Sequence, residues 1–248
     1  MRSLLFTLLF TVVAACGGSE DKPPVPLARH FDDMYIAQVP LDQKQDVVKT
    51  QNDWSIAKME NAKAEADFND STTQLTVARN DAKAAHLGVE SAVTNKNAAA
   101  KTGDNNKINA ATKDQRVTED LAKAADTRVH YFEAYREYLR QHWLFTQEMM
   151  YWREAQYELA KSSIAQKSNM SPNGVKFEWY PGQEGERAKS TSHAKDRAEN
   201  AKRKAVAARD KWLEDQKTAD TENGHPTSLP DPMVTAGASG GGGGGATP

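Results

Sequence analysis

The sequence predicts an all-α protein: an elongated antiparallel helical hairpin of coiled-coil type, with a third helix packing on its base and flexible termini. Three observations carry this. From about 43 to 94, Val47, Trp54, Asn61, Phe68, Leu75, Ala82 and Val89 recur every seven residues, and Thr50, Ala57, Ala64, Ser71, Ala78, Ala85 and Ala92 follow each by three. That is an a/d seam held over seven heptads. From about 107 to 168 a second stripe steps by four and three from Val117 through Tyr131, Tyr135, Tyr138 and His142 to Leu159. Between them, Thr94 to Lys107 is rich in Asn, Asp and Gly, the residues of turns and caps.

The first 16 residues stand apart. One positive charge at Arg2 precedes 12 residues, Leu4 to Ala15, dominated by apolar side chains. As a helix this run is ~18 Å long against ~30 Å of hydrocarbon, too short to span a bilayer. Charged start, apolar middle and small-residue end make residues 1–15 a secretory signal. It closes on Val13-Ala14-Ala15-Cys16, and Cys16 is the single cysteine of the chain. This closing sequence resembles the lipobox of bacterial lipoprotein precursors. The resemblance implies cleavage before Cys16, acylation of its thiol and new amino group, and anchorage in a lipid bilayer. Gly17 stands where an aspartate often marks inner-membrane retention, so the expected address is the outer membrane, facing the periplasm.

Residues 16–40 read as a lipidated tether, proline-rich over 17–26, and a short helix within 27–38 that carries Phe31 and Tyr35. Residues 41–222 form the rod, with helices over about 43–94, 107–168 and 184–220. A hairpin tip centred near 101 sets Trp54 near Met149, Phe68 near Tyr135 and Leu75 near Arg128. Ser171-Pro172-Asn173-Gly174 is a turn, residues 175–180 alternate as a short strand would, and Pro181-Gly182 ends it. The third helix presents small residues from Thr191 and Ala194 to Ala208, then Trp212. Aromatic residues crowd 131–157 on several faces, which predicts that the second helix is buried on several faces there. The third helix folds back over about 133–168, leaving a two-stranded projection beyond. Residues 223–248, with six consecutive glycines from Gly240, have too little apolar surface to offset their ordering entropy. With Cys16 leading into the start of helix one, the base is expected at the membrane and the tip away from it.

Composition and motifs narrow the function. The formal charge of −2, about −3 without Arg2, is well mixed, which argues against a nucleic-acid partner. The six histidines show no ligand spacing, and His142 on the core stripe reads as a packed residue. Asp46, Asp53, Glu60, Asp67 and Asp81 form a solvated flank, expected to pair loosely with Arg136, Arg140 or Arg153. Lys202-Arg203-Lys204 reads as solvated surface. Phe177, Trp179 and Tyr180 are the candidate contact surface, at the membrane or a partner, unless they plug the open end of the bundle. No nucleophile motif, phosphate loop or metal site is evident, so neither cofactor nor metal is expected and the chain reads as non-enzymatic. The expected role is a membrane-anchored spacer, scaffold or docking arm with an envelope protein partner or self-association. The alternative is a holdase-like periplasmic chaperone with helical arms.

Overall fold

The computed structural model describes residues 23–170 and 172–234. The predicted signal peptide, Cys16, the first part of the tether and residues 235–248 of the tail lie outside the described residues. The described chain is all-helical: α1 (Asp33–Ala37), a 3-10 turn (Leu41–Gln43), α2 (Gln45–Thr102), α3 (Asn105–Lys167) and α4 (Trp179–Asn223). At ~1.5 Å per residue, α2, α3 and α4 are ~87, ~95 and ~68 Å long.

The seam of α2 faces the partner as its period requires. All fourteen predicted a and d positions are buried or half-buried. Asn61, the polar member of the bulky row, accepts a hydrogen bond from Thr146 Oγ1 at 3.2 Å. Two boundaries differ from expectation. α2 does not stop at 94 but continues through Asn95 and Asn97, because the alanines at 98–100 keep helix propensity high. Only Gly103, with φ of 68°, ends it in the left-handed conformation that a side chain disfavours. Asp104 then caps α3, accepting from the backbone N–H of Asn106 at 3.0 Å and Lys107 at 3.4 Å.

With the turn at 103–104 rather than 101, the pairing register shifts. Trp54 stacks on Tyr157 at 5.7 Å, not on Met149, and Phe68 stacks on Trp143 at 5.8 Å, not on Tyr135. Arg128 pairs with Asp81 at 2.8 Å. A displacement of a few residues at the tip is carried undiminished to the base of a rigid antiparallel pair.

The expected strand at 175–180 is absent. Residues 172–178 form turns and α4 begins at Trp179. Pro181 does not end an element. It occupies the first turn of α4, where an N–H has no intrahelical partner to lose. α4 is therefore longer than expected and reaches further along α3. Arg187 meets Glu148, Trp212 stacks on Tyr131, Asp215 meets Lys123, and Glu222 pairs with Arg116. Three helices run together almost to the tip. The two-stranded projection is about 11 residues per strand, ~17 Å, rather than the outer half of the rod.

α3 is the centre of this arrangement. α2 and α4 each pack along it and scarcely touch one another. Between Leu121 and Ala165 only Lys123, His130, Glu133 and Glu137 of α3 are exposed. The flanking helices offer α3 mostly small residues, including Ala57, Ala64 and Ala78 of α2 and Ala194, Ala198 and Ala205 of α4, and the large rings of α3 fill the space between. Two apolar clusters result. The base cluster joins Phe31, Ile36 and Val39 to Val47, Tyr157, Ile164 and Tyr180. The mid-rod cluster joins Leu75 and Trp212 to Tyr131, Phe132, Tyr135 and Leu139.

Both terminal segments contribute to these clusters, which the sequence reading did not anticipate. Phe31 is 2 % exposed. Leu229 and Met233, placed in the tail from composition, pack against the mid-rod cluster. Residues 224–234 are thus an ordered part of the fold.

Candidate functional site

The predicted contact loop lies at the base, where α3 ends and α4 begins. Tyr180 is buried, and its hydroxyl donates to the His30 carbonyl at 3.4 Å. Phe177 is half-buried with its ring stacked on Phe31 at 6.3 Å. Trp179 is half-buried beneath the Arg29 guanidinium, 4.4 Å from its ring centre. The structure brings the three aromatics together around the N-terminal segment, and Tyr180 offers no exposed surface. Cys16, the predicted lipidation site, lies outside the described residues.

The segment they surround is an extended arm, residues 25–31, held by side chains along α3 and α4. Arg187 donates to the carbonyls of Val25 and Pro26 and pairs with Glu148 at 3.3 Å. Gln183 makes a reciprocal pair with the Arg29 backbone, accepting from its N–H at 3.2 Å and donating to its C=O at 3.0 Å. The Phe31 N–H donates to Glu158 at 2.5 Å, and the Lys161 ammonium donates to the Phe31 carbonyl at 2.8 Å. Glu158 and Lys161 are 3 % exposed each and pair at 2.8 Å, with Asp33 completing the cluster at 2.8 Å from Lys161. Burial pushes the Lys161 ammonium down, but the hydrogen bonds to Asp33 and Glu158 outweigh it and hold the charge above its usual range. Burial raises the neighbouring Glu154 carboxyl against the lowering effect of His30.

The direction of this arm matters. Val25 docks level with Arg187 and Glu148, and Phe31 docks nearer the base, level with Glu158 and Lys161. The chain therefore joins the rod on its flank, ~28 Å from the base end of α3, rather than at the base itself. The described part of the arm thus lies along the flank of the rod rather than at its base end, while Cys16 itself lies outside the described residues. Sequence reasoning also missed Glu158, Lys161, Gln183 and Arg187. A signal was present in Glu154, Glu158 and Lys161, charges spaced by four and three within an aromatic stretch that is buried all round.

The remaining candidates resolve simply. His142 is half-buried, its ring tilted against Tyr138 at 5.9 Å and Phe145 at 6.2 Å, and burial holds its pKa below the usual value. The acidic flank of α2 does not pair with Arg136, Arg140 or Arg153. These bond to Thr72, Glu137 and Gln156, while Asp81 takes Arg128. Among the described residues no cluster of three or more metal-ligating side chains occurs, and no helix is long and apolar enough to cross a membrane.

These features define a class: an all-helical rod of three antiparallel helices with both terminal segments docked along it. No protein-family model matches the chain, and no curated protein or solved structure is significantly similar to it.

Proposed function

We propose that this chain is a bacterial lipoprotein anchored by acylated Cys16 in the outer membrane, with a periplasmic helical rod that serves as a spacer, scaffold or docking arm for an envelope partner. The observation that carries the reading is the docked arm. A lipid anchor is mechanically useful only if the tether is joined firmly to the body it positions. Here the segment next to Cys16 is bound by four side chains, Arg187, Gln183, Glu158 and Lys161, through its backbone. From Cys16 to Val25 the chain reaches at most ~32 Å. The rod is therefore held within a short tether's length of the bilayer.

Acyl chains contribute ~0.8 kcal/mol per buried methylene, and stable anchoring needs more than one chain. Cys16→Ser is expected to move the protein from the carbonate-resistant membrane fraction into the soluble fraction. A mutant that still pellets with membranes after carbonate extraction would overturn the anchor.

A further inference from the structure

The described C-terminal segment is a second docked arm, and it occupies a groove. Gly224, with φ of 75°, ends α4 and turns the chain back. The Thr227 N–H is held by Asp220 at 3.1 Å. Leu229 and Met233 then pack on the cluster of Tyr131, Phe132, Tyr135 and Trp212. Between them Asp231 accepts from the Tyr131 hydroxyl at 2.7 Å and from Arg209, and caps the turn at 232–234 through the Met233 N–H at 3.1 Å. The seat thus has two apolar positions and one acid-binding position between them. Its polar anchors come from two different helices.

The seated segment lies at the surface. Residues 224–228 and Pro230 are exposed, and Leu229, Asp231 and Met233 are half-buried. Towards the tip the groove continues between α2 and α4, lined by Ala85, Gly88, Leu121, Arg128 and Gln216 beside Leu229. One buried donor there has no acceptor among the described residues: Arg128 Nε, whose other end pairs with Asp81. A buried donor left unpaired is costly, so an occupant that supplied a carbonyl oxygen to it would bind better than the resident segment does.

We infer that this groove over Tyr131 and Trp212 is a docking site for a peptide segment of a partner protein, one with an acidic residue between two aliphatic residues, and that residues 225–234 are its internal, displaceable occupant. The occupant's chemistry is read from the segment already seated there: Leu229, Asp231 and Met233 show what the site accepts. The exposed Gly224-His225-Pro226 joint lets the resident segment leave without disturbing α4. The carboxylate supplies orientation through Tyr131 and Arg209, and the flanking apolar side chains supply affinity. The inference does not depend on the lipid anchor.

The test uses a fluorescent synthetic peptide with the sequence of residues 225–234 and the full chain. Leu229→Ser/Met233→Ser loosens the resident segment and leaves the groove intact. This variant is expected to bind the peptide at least tenfold more tightly than the parent chain does. The same peptide with its aspartate replaced by alanine is expected to lose that gain, and so is the loosened variant with Arg209→Gln added. If the double variant proves unstable by circular dichroism, Asp231→Ala loosens the segment from its polar side instead. A folded, loosened chain that ignores the peptide at ~1 mM overturns the inference, as does equal binding of the alanine peptide. A parent chain that is dimeric and becomes monomeric on Asp231→Ala would assign the groove to a second copy and also overturn it.

Discussion

Glu158→Leu tests the junction between the N-terminal arm and the rod. The substitution removes one member of a pair in which both partners are 3 % exposed, and it strips the Phe31 N–H of its acceptor. Breaking a buried pair from one side costs about 3–5 kcal/mol, because the remaining charge stays buried. Lys161 keeps its bonds to the Phe31 carbonyl and to Asp33, whose side chain is 72 % exposed and hydrated. The expected loss is therefore at the lower end, about 3 kcal/mol. In a chain of this size that lowers the melting temperature by about 6–12 °C. Urea and thermal unfolding followed at 222 nm measure the loss, and amide exchange over 25–37 shows whether the arm has come away. Glu158→Leu/Lys161→Met is expected to recover most of the stability, since apolar residues of similar volume replace a buried pair at little cost. A single variant within about 1 kcal/mol of the parent refutes the reasoning, and so does a double variant less stable than the single.

Trp212→Ala removes a side chain that is 1 % exposed and stacked on Tyr131 at 5.4 Å. It is expected to cost about 3–5 kcal/mol by denaturant unfolding. Gly103→Val forces a β-branched residue into the left-handed turn at φ of 68° and should cost about 1–2 kcal/mol, with exchange rising first near the tip. The pH profile has two edges. Tyr135 is pushed up to about 12 by burial and nearby Asp67, Tyr131 and Lys161 are also raised, and each contribution is complete below the unfolded value and lost as pH rises through the folded one. The melting temperature is therefore expected to fall above pH ~10. His142 is held below its usual value, so its contribution is present above pH ~6.5 and lost as pH falls, and His142→Leu should flatten the profile below about pH 6.5.

Much of this rod is legible in the sequence because its cause is local. A heptad is a relation between residues seven apart, and burial of its a and d positions follows for any helix that finds a partner. Hence Val47, Ala57 and Leu75 face α3 as their spacing requires, and the aromatic crowding of 131–157 marks a helix enclosed on both sides. Gly103 and Asp104 fall within the Asn-, Asp- and Gly-rich stretch that residue type alone marks as the hairpin turn.

What the tertiary structure decided are the pairings that no period encodes. The register of α2 on α3 depends on which glycine or asparagine closes the hairpin, and several candidates stand between 94 and 107. The terminal arms have no periodicity at all. Phe31 is buried because Glu158 and Lys161, some 130 residues away, bind its backbone, and Asp231 is placed by Tyr131, 100 residues before it. Composition marks such segments as tethers, since in isolation they cannot offset their ordering entropy. They order here because the helices present grooves with hydrogen-bonding partners already in place, and only the folded arrangement of α3 and α4 creates those grooves.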